Sequence, residues 1–284
     1  MALDKKNLVV RSLSGMVYIG LLIGCIILGP IAITILMALF AIIGAYELEA
    51  NTVKTYNDAN WIITWTVDAA ALFCMVFTAI SHETRGIFLI ILVLLIFFRF
   101  FLQIFIIQQK PLQSIAVFTL ELFYVGAPLT LLALLVAAIG EPWLIICALA
   151  MIWINDTGAY LVGCLTGRHK MFPRLSPKKS WEGFFGGLLF NIGAAFIFFY
   201  CFHLGENFPI LTNVQGWIFI GICVTVFATL GDLFESMLKR SIGIKDFGNI
   251  IPGHGGILDR IDSLLFVVPC LLLFLLLASR MILV

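Results

Sequence analysis

Nine stretches of the chain run for about 17 to 25 positions with almost no polar interruption, at roughly 13–29, 31–48, 61–80, 86–107, 115–139, 143–165, 184–203, 216–238 and 261–283. A helix needs about 20 apolar residues to cross a ~30 Å hydrocarbon core. The pattern therefore predicts an all-α polytopic membrane protein with about nine transmembrane helices. Gly29-Pro30 is the only break between the first two stretches, which predicts a tight hairpin there.

The polar connections predict how these helices are threaded. Gly167 to Lys179 holds Arg168, Lys170, Arg174, Lys178 and Lys179 and no acid, and the segment from Lys239 to Arg260 is again rich in basic residues. Basic loops stay on the cytoplasmic side. Counting spans from these two loops places the N-terminus, with Lys5, Lys6 and Arg11, in the cytoplasm and the C-terminus outside. The connections left on the far side (Gly29-Pro30, Ser81 to Arg85, Gly140 to Pro142, Leu204 to Gln215) are short or poor in Lys and Arg. Residues 13–28 lack a small-residue cleavage site and are followed by many further spans, so they read as an uncleaved first helix rather than a signal peptide. The polar chemistry divides the chain into 1–140, five spans that serve as scaffold, and 141–284, four spans with two cytoplasmic loops that carry the catalytic region.

Composition agrees with this reading. Hydrophobic residues make up 62% and charged residues 12%, against about 45–50% and about 25% in soluble domains. The net charge of +1 says nothing about partners, because the distribution of charge along the chain carries that information; no polybasic tail is visible, and no nucleic-acid partner is expected. The seven cysteines sit singly in apolar runs without CxxC spacing, as small apolar filler.

Charge inside the spans is costly, at least ~2.5–3.5 kcal/mol per group at mid-bilayer, and so marks candidate chemistry. Asp156, in Asn155-Asp156-Thr157-Gly158, lies well inside the sixth span, either as a hydrogen-bond hub between helices or as the wall of a polar cavity. Asp68, Arg99 and Glu121 also fall within spans, each standing alone as a helix-packing or interface residue. Ser176-Pro177-Lys178-Lys179-Ser180 leads into the seventh span. Its lysines suit anionic headgroups or a bound phosphate. Ser180 can cap the following helix, whose N-terminal amides attract anions. Asp232, Glu235, Ser236 and Lys239 follow i, i+3, i+4, i+7 spacing and form one polar stripe on a helix. Beyond them, Lys245-Asp246-Phe247-Gly248 and His254-Gly255-Gly256 form a glycine-rich loop that runs into Asp259-Arg260-Ile261-Asp262. Successive amides of such a loop can hold phosphate oxygens. Asp259 and Asp262 share a helix face and offer the oxygen ligands that Mg²⁺ prefers.

From Ser236 to Asp262 the chain resembles the phosphatidate cytidylyltransferases: Ser236, Lys239-Arg240, Lys245-Asp246, Gly248, Ile251-Pro252, His254-Gly255-Gly256, Asp259-Arg260 and Asp262 match the family signature without interruption. Asn155 to Tyr160 and Ser176 to Gly183 also look like family motifs. The resemblance implies a nucleotidyltransferase that converts CTP and phosphatidate to CDP-diacylglycerol and pyrophosphate. It implies an integral protein of a bacterial inner membrane, active at the cytoplasmic face, and a homodimer whose contacts come from the first five spans. On this reading Asp232, Asp259 and Asp262 hold Mg²⁺, alone or with a second cation, with Asp246 and Glu235 as further candidate ligands. Lys239 joins the three aspartates in catalysis. Asp156, Ser176, Lys178, Lys179, Arg240, Lys245, His254, Gly255, Gly256 and Arg260 bind substrate, His254 as a hydrogen-bond donor rather than a base. The nearest rival is a CTP-dependent polyprenol or lipid kinase. A transporter is the alternative from another class, but the repeated broken helices expected of one are not visible.

Overall fold

A computed structural model of the chain describes residues 5–54, 60–106, 109–202, 208–250 and 255–278, the side chains of 5–13, 209, 210 and 278 excepted. Among the described residues seven helices are long and apolar enough to cross a membrane, and two shorter apolar helices, Ser14–Leu28 and Trp61–Phe77, accompany them. Every predicted span meets a helix, and the fold is an all-α polytopic membrane fold. The two termini, expected on opposite faces, lie outside the described residues.

The chain forms two compact units, Met1–Gly140 with Ile242–Ile261, and Glu141–Ser241 with Asp262–Val284. The first contains α1 (Lys5–Leu28), α2 (Pro30–Asn51), α3 (Trp61–Phe77), α4 (His82–Phe105), α5 (Pro111–Leu120) and α6 (Ala127–Ile139). Gly29 alone separates α1 from α2. Its φ of 102° belongs to the left-handed region that favours glycine, and Pro30 opens α2 at a position where no amide is needed. Ser81 caps α4 by accepting the Thr84 amide at 3.2 Å. The fifth predicted span is one apolar rod, 111–139, but Glu121–Gly126 between α5 and α6 is π-helical. Pro128 follows directly in α6. Its missing N–H removes one rung of the helical ladder, and the widened turn ahead of it accommodates the loss. Only 11% of the apolar window of α4 is buried within the chain, so most of its surface lies on the outside of the first unit.

The expectation that Asp68, Arg99 and Glu121 stand alone is overturned. Arg99 Nε donates to Asp68 Oδ1 at 2.7 Å with both side chains fully buried, and Glu121 lies beside them with Glu49. The partners come from different helices, so no periodicity within one segment announces them.

The second unit holds α7 (Pro142–Thr166), α8 (Trp181–Phe202), α9 (Val214–Ser241) and most of α10 (Leu258–Ala278). Between α7 and α8 the basic connection folds into an antiparallel hairpin, β1 (Lys170–Phe172) and β2 (Ser176–Ser180), with Lys170 opposite Ser180 and Phe172 opposite Ser176. This small sheet is an addition to the expected helices. Glycines let α7 and α8 approach closely: a Cβ at Gly158 would stand 2.7 Å from the Phe190 ring, and one at Gly186 would stand 2.5 Å from Val162. Asn191 of α8 donates to Thr225 Oγ1 of α9 at 2.9 Å, a polar tie of the kind that joins helices in lipid. α9 runs to Ser241, so the stripe from Asp232 to Lys239 is helical as its spacing predicts. Pro269 lies inside α10, a placement that membrane helices tolerate.

Candidate active site

The second unit contains a cavity of about 690 Å³, lined by α7, the β hairpin, the start of α8 and α9. That volume suits a small-molecule ligand. Asp156 of α7, Ser176, Lys178 and Lys179 of β2, and Asp232 of α9 all lie on its wall. These residues are far apart in sequence, and the structure brings them together as cavity wall. Asp156 therefore faces an open cavity shared with Lys179 and Asp232, which explains why a charged residue is tolerated within an apolar helix.

Lys179 is the electrostatic centre of this wall. Its Nζ sits 2.6 Å from Asp232 Oδ2, with the two side chains 24% and 39% exposed, and it also donates to the Thr229 carbonyl at 3.4 Å. Alternation along a strand sends neighbouring side chains to opposite faces, and Lys178 stays exposed while Lys179 reaches α9. Asp232 receives a second contact from Ser236 Oγ at 3.3 Å. Asp262 of α10 also belongs to this group: its charge and that of Asp232 both act on Asp156. A Cβ at Gly231 would stand 2.5 Å from the Asp262 carbonyl oxygen, so glycine here lets α9 and α10 approach. Three carboxylates and one lysine leave an excess of two negative charges. The charge excess and the oxygen donors suit a hard divalent cation, although the three carboxylates do not stand within one ion's reach of one another as the acids of the first unit do.

The start of α8 adds the opposite polarity. Ser180 Oγ accepts the Gly183 amide at 3.2 Å, capping the helix whose first turn borders the cavity. A helix N-terminus offers amides and a positive dipole end to anions. Beside it the Glu182 carboxylate lies 2.6 Å from His169 Nδ1 and accepts the His169 backbone amide, which fixes the base of the hairpin. Farther along α9, Lys239 Nζ lies 3.4 Å from Glu235 Oε2, whereas Arg240 is exposed. Glu235, proposed from sequence as a further metal ligand, is thus paired with the lysine of its own helix.

The glycine-rich loop belongs to the first unit and is organised from within it. Asp259 Oδ2 accepts the amides of Phe247 at 2.9 Å and Gly256 at 2.8 Å, closing the loop onto the start of α10. Glu47, near the end of α2, accepts the amides of Ile257 at 2.9 Å and Leu258 at 3.0 Å. It therefore caps α10 from 210 residues away in sequence. Asn51, one turn on, donates to the Phe247 carbonyl at 2.7 Å. Gly256 packs so tightly on the Glu47 carboxylate that no side chain fits there, and Gly255 has a φ of 89°. Lys245, Asp246 and Arg260 are exposed. His254 lies outside the described residues. Sequence reasoning missed Glu47. The only signal was an acid near the end of an apolar span, in Tyr46-Glu47-Leu48-Glu49.

The site can be set beside known proteins. Over 129 residues the chain is 45% identical to a phosphatidate cytidylyltransferase of Staphylococcus haemolyticus, covering 45% of this chain and 46% of that protein. A phosphatidate cytidylyltransferase of Staphylococcus aureus is 45% identical over 131 residues, with the same shares covered. One from Staphylococcus epidermidis is 46% identical over 127 residues, again 45% of this chain and 46% of the relative. The chain thus matches under half the length of these relatives. The model of the cytidylyltransferase family, in contrast, matches residues 9–278, from α1 through the glycine-rich loop to the last residue of α10, and by that span the chain belongs to the cytidylyltransferase family.

Proposed function

We propose that the protein is a CTP:phosphatidate cytidylyltransferase, in which a phosphate oxygen of phosphatidate attacks the α-phosphorus of CTP and pyrophosphate leaves. The observation that carries this reading is the convergence of Asp156, Lys179 and Asp232 at the cavity wall, with Asp262 near enough for its charge to act on Asp156. The names of the relatives supply the substrates.

The chemistry makes few demands on acid–base catalysis. A phosphomonoester with a second pKa near ~6 is already dianionic at neutral pH, so it attacks without surrendering a proton to the protein. The difficulty is repulsion between two polyanions. Lys179 neutralises phosphate charge at the cavity wall, and the capped N-terminus of α8 adds oriented amides. Asp232, Asp262 and Asp156 would hold a divalent cation, Mg²⁺ in this reading, which when bound supplies further charge neutralisation at the phosphates. Lys178, Ser176, Lys239 and Arg240 bind substrate phosphates from the hairpin and from α9. Lys245, His254, Gly255, Gly256, Arg260 and the metal role of Asp259 enter through the resemblance of their segment to the family signature. A cytoplasmic site, a bacterial inner membrane and a homodimer complete the reading, supported by the basic loops and by that same resemblance.

Differently labelled CTP tests the proposal on purified protein with phosphatidate and Mg²⁺. Label from the α-phosphate should enter lipid, and label from the γ-phosphate should leave as pyrophosphate. Transfer of γ-label into lipid would establish a lipid kinase instead.

A further inference from the structure

The first unit buries a charged cluster that the proposed reaction does not use. Asp68 of α3 is bound to Arg99 of α4 at 2.7 Å, and neither side chain is exposed. Arg99 directs its other nitrogens to neutral partners, Gln103 Oε1 and Ser114 Oγ, each at 2.7 Å. Its positive charge therefore answers one carboxylate. Glu49 and Glu121, both 0% exposed, bring two more. One oxygen from each of Glu49, Asp68 and Glu121 lies within 4.8 Å of the other two. That is the spread expected of carboxylate oxygens that share one ion at about 2.0–2.6 Å.

Glu121 indicates what completes the cluster. It is fully buried and aimed at the other two acids, yet neither of its oxygens has a hydrogen-bond partner among the described residues. Buried polar atoms are rarely left in that state. Glu121 also opens the π-helical turn, a distortion that often accompanies a functional site. With all three acids ionised, three carboxylates and one guanidinium leave two negative charges, and a single divalent ion brings the sum to zero.

We propose that Glu49, Asp68 and Glu121 bind one hard divalent cation of the Mg²⁺ and Ca²⁺ class, at a structural site separate from the cavity of the second unit. Glu49 lies two residues from Glu47, whose carboxylate holds the loop amides. The ion thus fixes the end of α2 on which the glycine-rich loop is built. The inference is independent of the reaction assigned above.

The test is a count of bound metal in full-length protein in detergent, stripped with chelator, reloaded with Mn²⁺ as the probe and desalted. Asp232→Asn with Asp262→Asn serves as the background, to weaken ion binding in the second unit. Adding Glu121→Gln to that background should remove one Mn²⁺ per chain and abolish the rise in melting temperature on Mn²⁺ addition. Glutamine closely mimics a protonated glutamate, so a cluster neutralised by protons would show the same Mn²⁺ content and the same melting behaviour with and without Glu121→Gln. That result overturns the proposal. If the triple variant does not fold, the background alone decides: no retained Mn²⁺ and no metal-dependent melting shift also overturn it.

Discussion

In the second unit Asp156 and Asp232 meet Lys179 at the wall of an open cavity, with Asp262 near enough for its charge to act on Asp156. In the first, Glu49, Asp68 and Glu121 gather near Arg99 with no exposed surface at all. Each set holds three carboxylates against one base, and in each the base touches one acid directly. The choice of base follows solvent access. Lysine is a compact, well-hydrated charge on a mobile stem, suited to a solvent-accessible wall. Arginine is weakly hydrated and its planar fork fills three fixed bonds, to Asp68, Gln103 and Ser114. On the proposed readings, equal charge serves turnover where the cavity is open and structure where it is closed. Substitutions should separate these roles cleanly.

The largest effect is expected at Arg99. Replacing it with Gln leaves three buried acids without their counter-charge, and breaking a buried pair in this way costs about 3–5 kcal/mol. The protein should accumulate poorly and melt well below the parent, while turnover per folded molecule holds. A variant that melts normally but has lost turnover would break the comparison. Next comes Asp232→Asn, for which the labelled-CTP assay should show turnover lower by about 10²–10³, the range for losing one preorganised electrostatic contact. Its melting should change little, because a pair as exposed as Lys179 and Asp232 contributes about 0–1 kcal/mol. A large melting change with intact turnover would reverse the two roles.

The two clusters were not equally legible beforehand. Lys179, Asp232 and Asp262 stand out because each interrupts or borders an apolar run and falls within a motif of recognisable spacing. The spans were legible for the same reason, as length and hydropathy alone decide them. Pairings between helices leave no such trace. Asp68 and Arg99 are 31 residues apart, each a lone charge in its own span, and only packing of α3 on α4 joins them. The hairpin of β1 and β2 was hidden because Pro177 and the clustered lysines of Arg168 to Lys179 suggest a turn, whereas the pairing of Lys170 with Ser180 depends on where α7 ends and α8 begins. The π-helical turn has a local cause in Pro128, but its position at Glu121 is visible only in three dimensions.

Glu47 offers the smallest effect and the finest test of the contrast. It is as buried as the members of the closed cluster, at 2% exposed, yet its two oxygens accept two loop amides rather than facing other acids. In Glu47→Gln one carboxylate oxygen becomes an NH₂ that points a donor at a donor, so one amide loses its partner while the shape is kept. A hydrogen bond to a charged group contributes about 1.5–3 kcal/mol, and the loss should appear as a modest drop in melting temperature. If the loop between Lys245 and Gly256 takes part in turnover, kcat should also fall, by about tenfold for each 1.4 kcal/mol that reaches the transition state. Glu47→Asp keeps both acceptors on a shorter arm and should recover part of both readings. The Mn²⁺ content should stay at the parent level, since Glu47 points away from the closed cluster to the loop. Loss of the ion in Glu47→Gln would show that the end of α2 cannot hold loop and cation independently, and that the two belong to one network.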